Sequence, residues 1–228
     1  MAAAGAVQHD ALVEALESAG WGDARPGDAA PLPAVPPVPA APTYEHVPDR
    51  KLTQTHVVLG SAAPAHNDDR RDALALVSMV LGGGMSSRLF QTVREELGLA
   101  YAVHSFQSTH VDAGMHGVYL ATAPGTARKA YDAVRRELSR LAAEGLPDDE
   151  LAAAKRQLKG QITLGADGVT NAMYRAAGLV LYDEPFRPLD EVLARIAAIE
   201  PAEVRAVCAN FFDPDRQTVL SLGPKPVR

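Results

Sequence analysis

Seven prolines fall between Pro26 and Pro42. Proline lacks a backbone N–H and fixes φ, so this stretch can form neither a helix nor a central strand. It is expected to run extended, as a semi-rigid spacer. The 228 residues are thereby divided into a connector segment with a short helix over 1–25, a proline-rich linker over 26–43, a folded domain over 44–224 and a tail over 225–228. With 47% apolar residues, the folded part can bury a sizeable core.

Within that part, THVVLGSAA (55–63) is a β-branched run that reads as a buried strand. Asp68 and Asp69 are good helix-start residues for a helix that is apolar nearly all round after Asp72. Gly82, Gly83 and Gly84 are expected to end it in a tight turn. Ser86 or Ser87 can cap the next helix, whose apolar residues Leu89, Val93 and Leu97 are four apart, and Gly98 closes it in the left-handed conformation. The runs 101–110 and 113–123 are separated only by Val111 and Asp112, which predicts an antiparallel hairpin. Helices follow, one with its apolar face at Ala130, Val134, Leu138 and Leu141. Pro188 and Pro201 suit first-turn positions, and 217–223 reads as a last strand. This order predicts an α+β layer, an antiparallel sheet with helices packed on one face.

Several functions are disfavoured by the residues. The net charge of −6, without a block of like charge, speaks against nucleic acid and against an anionic membrane. No apolar run approaches a membrane span and the N-terminus is no signal peptide, so the expectation is a cytoplasmic protein. The single cysteine, Cys208, reads as a small buried residue. The glycine triplet is followed by Met85, Ser86 and Ser87 and lacks the lysine of a phosphate loop. No two histidines bracket a glutamate at zinc-helix spacing. His104, His110 and His116, six apart, are divided by the hairpin turn, so no metal site and no cofactor are expected in this chain. There is no Gly-x-Ser-x-Gly nucleophile motif. The carboxylate pairs Asp68–Asp69 and Asp148–Asp149 are explained by helix starts.

Arg94 and Tyr101 remain. Arg94 lies in the last turns of a helix, and Tyr101 opens the strand beyond Gly98. Such a helix–turn–strand can bring a guanidinium and a phenol together, and two convergent donors suit a peptide carbonyl or the oxyanion formed from it. On pattern alone, a surface arginine beside a packed tyrosine is the simpler reading.

The stretch LGGGMSSRLFQTVREELGLAYAVHS (81–105) closely resembles the second-domain signature of the M16 metallopeptidases, the insulinase or pitrilysin family, and within it the branch of mitochondrial processing peptidase and its bacterial relatives. THVVLGSAAPAHNDDRRDALALVSMVLGGG resembles the preceding strand and helix, and LAAEGLPDDELAAAKRQLKGQITL (141–164) and LDEVLARIAAIEPAEVRAVCANFFDPDRQTVLSLGP (189–224) resemble the later helices and the terminal strand. The resemblance spans roughly residues 40–224, and residues 2–16 resemble the connector from the family's first domain.

The resemblance implies a fold of the LuxS/MPP-like metallohydrolase type. It implies paired domains around a chamber, the first carrying zinc on an inverted His-x-x-Glu-His motif. The second holds the substrate backbone with an arginine and a tyrosine seven apart, which match Arg94 and Tyr101. Tyr101 would donate to the oxyanion and Arg94 would orient the peptide. The zinc motif is missing, and Met1 falls about where the connector would be. The chain is therefore expected to be the C-terminal substrate-binding half of an M16-type metalloendopeptidase. It would be inactive alone and would complete a composite site with a zinc-bearing half, or associate with itself. A non-catalytic scaffold of the same fold, or a truncated gene product, is the rival expectation.

Overall fold

The computed structural model describes residues 1–23 and 41–228; Pro26 to Pro39, and with them most of the expected linker, lie outside the described residues. The main elements are α1 (His9–Ser18), β1 (Tyr44–Pro48), β2 (Thr55–Ala63), α2 (Arg70–Gly82), a π-helix (Phe90–Glu96), β3 (Ala102–Thr109), β4 (Gly114–Thr122), α3 (Ala127–Glu144), α4 (Asp148–Ala166), α5 (Val169–Leu181), α6 (Leu189–Ala198), α7 (Pro201–Phe211) and β5 (Thr218–Gly223). The chain divides into two compact units. Among the described residues, the larger holds 41–162 and 187–228, and the smaller holds 1–23 and 163–186.

The larger unit carries a five-stranded sheet in the order β1-β5-β2-β4-β3. β3 and β4 form the expected antiparallel hairpin, closed where the His110 N–H donates to the Ala113 carbonyl at 2.7 Å. β2 runs antiparallel to both β4 and β5. The α+β class read from the sequence therefore holds, with one addition. Residues 44–48 form a strand that the sequence reading did not include, and β1 lies parallel to β5, so the sheet is mixed. Tyr44 Oη and His46 Nδ1 both reach Ser221 Oγ, at 3.3 and 2.8 Å, and fasten this edge. The Val227 N–H donates to Tyr44 Oη at 3.1 Å, and Val227 itself is fully buried.

Strand alternation sends Val57, Leu59, Val118, Leu120 and Val219 to one face. There they meet Leu74, Val77 and Leu81 of α2, the predicted row Ala130, Val134, Leu138 and Leu141 of α3, and Val204, Val207 and Cys208 of α7. Burial pushes the Cys208 thiol up to about 12, in keeping with a packed rather than reactive residue. On the opposite face Leu220 and Leu222 of β5 and His104 of β3 are exposed. In the smaller unit α1 and α5 bury no residue, and Tyr174, Val180, Leu181 and Phe186 are exposed.

His116 is packed into the core face of β4. Its Nε2 lies 2.8 Å from Ser61 Oγ and its ring 4.6 Å from that of Phe212. Burial pushes its pKa down to about 4, against an ordinary 6.5. The folded state thus resists a proton that the unfolded chain accepts between these values. The stability is complete above pH 6.5 and is lost as pH falls toward 4. From pH 7 to pH 5 this one group is expected to remove about 2 kcal/mol. Urea unfolding of wild type and His116→Gln at the two pH values checks this; an equal fall in both would show that His116 is not responsible.

Candidate functional site

The segment that carries Arg94 and Tyr101 hangs from the end of α2. No residue from 71 to 82 is exposed, as expected of a helix apolar nearly all round. At its start Asp68 Oδ1 accepts from the Arg70 N–H at 2.9 Å and its carboxylate receives the Arg70 guanidinium. These bonds hold the Asp68 carboxyl below the usual range.

The three glycines at the end of α2 have different surroundings. A Cβ on Gly82 would lie 2.3 Å from Ser105 N, and one on Gly83 would lie 2.7 Å from Met79 Cα. One on Gly84 would meet nothing within 4 Å. Gly82 therefore lets α2 close on β3, where Ser105 Oγ donates to the Ser78 carbonyl at 2.6 Å. The Gly83 N–H donates to the Met79 carbonyl at 2.9 Å and ends the helix. Gly84 leads into the turn, and its carbonyl accepts from Ser87 Oγ at 2.5 Å. Ser87 thus bonds backwards, and no side chain caps the π-helix that follows.

Arg88 and Leu89 begin a helical turn that widens into this π-helix. The Leu97 N–H reaches the Thr92 carbonyl, five residues back, at 3.1 Å. The extra residue per turn breaks the spacing of four read from the sequence. Leu89 and Val93 are fully buried, but Leu97 is turned out and 47% exposed. The Leu99 N–H then donates to the Val93 carbonyl at 2.9 Å, and Gly98 takes φ +58°, a left-handed helix end. The Tyr101 N–H donates to the Ala121 carbonyl at 2.9 Å, which joins the segment to β4.

This path brings Arg94 and Tyr101 together. The Arg94 guanidinium carbon lies 5.9 Å from the Tyr101 ring centroid and 4.8 Å from that of Phe90. Its only ion pair among the described residues is a loose one, Nε to Glu95 Oε1 at 3.8 Å. Both side chains face solvent, Arg94 at 42% and Tyr101 at 72% exposure. The Tyr101 hydroxyl meets no hydrogen-bond partner among the described residues. A guanidinium in contact with two rings, one of them a phenol with a free hydroxyl, is an arrangement whose N–H and O–H donors can meet a carbonyl from solvent. The sequence reading did not single out Phe90, although its position four residues before Arg94 on a helix is a signal for such a contact.

The histidines do not gather. His116 is buried on the core face, whereas His104 is exposed and its ring lies 5.0 Å from Tyr119. Among the described residues no group of three or more His, Cys, Asp or Glu side chains converges as a metal centre needs. These residues do not fit a zinc site. Among them, too, no helix is long and apolar enough to cross a membrane.

Comparison with known proteins gives a consistent result. The family profile described as "peptidase M16 inactive domain" matches residues 1–158. An uncharacterized zinc protease of Streptomyces coelicolor is 38% identical over 98% of this chain and 50% of its own length. The chain spans about half the length of the curated relatives it matches. Among solved structures, a peptidase M16 inactive domain from Pseudomonas fluorescens superposes with a TM-score of 0.83 at 22% identity, over 97% of this chain and 53% of that one. A protease from Helicobacter pylori does so with a TM-score of 0.86 at 18% identity, over 97% of this chain and 54% of that one. At these identities the two structures establish the fold.

Proposed function

The chain belongs to the peptidase M16 family, whose inactive-domain profile it matches, and from that premise we propose that it is the substrate-holding half of a zinc peptidase. It would complete a peptide-hydrolysis site with a zinc-bearing half, on a longer chain or a separate one. The observation that carries this reading is the exposed pair Arg94–Tyr101, side by side, with its donors directed at no other partner among the described residues than the loose contact to Glu95. Metal chemistry would belong wholly to the other half. This chain's share is hydrogen bonding: the Arg94 fork donates to backbone carbonyls and fixes the peptide's position. The Tyr101 hydroxyl donates to the scissile oxygen as charge builds on it. The Phe90 and Tyr101 rings both lie within cation–π distance of the guanidinium.

The test is assembly followed by cleavage. The isolated chain is mixed with the zinc-bearing half of the Streptomyces coelicolor relative, the part this chain does not cover. The two are expected to co-purify. At a hundredfold excess over Kd the added half should stabilise the chain by about 2.7 kcal/mol, read as a raised unfolding midpoint. Peptide cleavage is expected only from the mixture. Assembly without cleavage would favour the scaffold reading, and a chain whose midpoint never responds would remove the partner altogether.

A further inference from the structure

Arg88 stands at the root of the segment that bears Arg94, and its side chain is only 11% exposed. Its Nε donates to Glu150 Oε1 at 2.9 Å and its Nη2 to Glu150 Oε2. This is a two-bond fork between residues 62 apart in sequence, and Glu150 lies in the first turn of α4. The carboxylate of Glu137 on α3 also acts on Arg88. Arg88 Nη1 and Glu137 Oε2 are both buried and bond nothing among the described residues. Glu137 Oε1 lies 3.6 Å from Arg140 Nη1.

A partly buried ion pair of this kind contributes little net stability, because desolvation offsets most of its attraction; apolar replacements of equal volume are often neutral. What it supplies is direction. A planar fork on a carboxylate fixes both distance and orientation. The segment needs that direction. A π-helix is a rare and poorly bonded turn, and Val93 is the one residue of Phe90–Glu96 that is buried. Leu89 and Val93 make an apolar anchor, which is not directional, and Gln91 Nε2 ties the segment to the neighbouring Met85 carbonyl at 2.6 Å. Arg88, immediately before Leu89, is the directional contact that ties the segment to a distant helix.

We propose that Arg88, forked onto Glu150, is a positioning residue that sets the rotation of the π-helix and so holds Arg94 against Tyr101. Its effect on catalysis rests on the reading that Arg94 holds substrate; its effect on the segment does not.

The double variant Arg88→Met with Glu150→Met removes both charges and leaves similar volume, so the fold should persist. Hydrogen exchange of the full chain is measured first. The Leu97 and Leu99 amides, bonded to Thr92 and Val93, should exchange about tenfold faster, whereas α3 amides keep their wild-type rate. Unchanged exchange at Leu97 and Leu99 overturns the proposal. In the assembled peptidase the double variant should raise KM about tenfold, with a smaller change in kcat, a typical coupling for groups in one network. On an Arg94→Ala background the same two substitutions should leave KM where it is. An equal rise on both backgrounds would mean that Arg88 does not act through Arg94, and this too overturns the proposal. If Arg94→Ala alone leaves KM unchanged, it is the substrate-holding reading that falls, and the exchange result decides the positioning by itself. Glu150→Gln keeps the side-chain shape and serves as the second variant should the double one lose its fold.

Discussion

Tyr101→Phe is expected to lower the turnover of the assembled, zinc-loaded peptidase by roughly 10²- to 10³-fold, the usual loss for one oxyanion donor, or about 2.7 to 4 kcal/mol. The substitution keeps the ring beside Arg94 and removes only the hydroxyl. That hydroxyl has no partner among the described residues, so its loss leaves no buried group unsatisfied, and folding and assembly should be nearly unchanged. The deficit should fall mainly on kcat, because the bond strengthens as charge develops on the oxygen. Arg94→Lys should behave differently. It keeps the charge but loses the planar fork and the stacking against Phe90, so KM should suffer at least as much as kcat. Steady-state kinetics with one peptide substrate separates the two. Equal kcat for wild type and Tyr101→Phe would refute the assigned role and favour a scaffold.

Gly82→Ala is expected to cost about 3 kcal/mol or more of folding stability, at the upper end for an overpacked core position. The new methyl would sit 2.3 Å from Ser105 N and 2.9 Å from the His104 carbonyl carbon. Both are backbone atoms, so α2 and β3 must part. β3 is an edge strand. Counting from the bonded His110–Ala113 pair, Ser105 has its N–H facing away from β4. The end of α2 thus occupies the place a further strand would take. Parting the two should therefore promote aggregation as well as unfolding. Gly84→Ala is the control. Its Cβ meets nothing within 4 Å, and the change should lie between zero and a gain of about 0.5 kcal/mol. Urea midpoints of the two variants decide; equal midpoints would show that α2 does not press on β3.

These two glycines illustrate what can and cannot be read from a sequence. Their neighbours in the chain make both look like turn residues, but the demand on Gly82 comes from a strand more than twenty residues away. Features set by nearby residues were readable. The two-residue link of the β3–β4 hairpin and the apolar row of α3 depend on local spacing, and the structure has them where expected. Features set by distant partners were not. β1 is short, contains Pro48, and is a strand only because β5 offers an edge from the far end of the chain. The π-helix has an α-like spacing of apolar residues, and only the structure shows that Leu97 leaves the row. Arg94 and Tyr101 emerged from the sequence as a pair through family resemblance. The structure adds their ring contact and the Arg88–Glu150 fork, neither of which has a sequence signature of its own, and the Phe90 contact, whose i, i+4 spacing from Arg94 was a signal left unread.

The parallel pairing of β1 with β5 has a mechanical consequence. After β5 the chain doubles back, so that Arg228 lies with its guanidinium carbon 5.3 Å from the Tyr44 ring. The first strand of the larger unit and residues 227–228 therefore meet at one corner, where Tyr44 also accepts from the Val227 N–H. Fraying at either side of the corner would release the other, because the one Tyr44 side chain holds both the Val227 N–H and the Arg228 guanidinium.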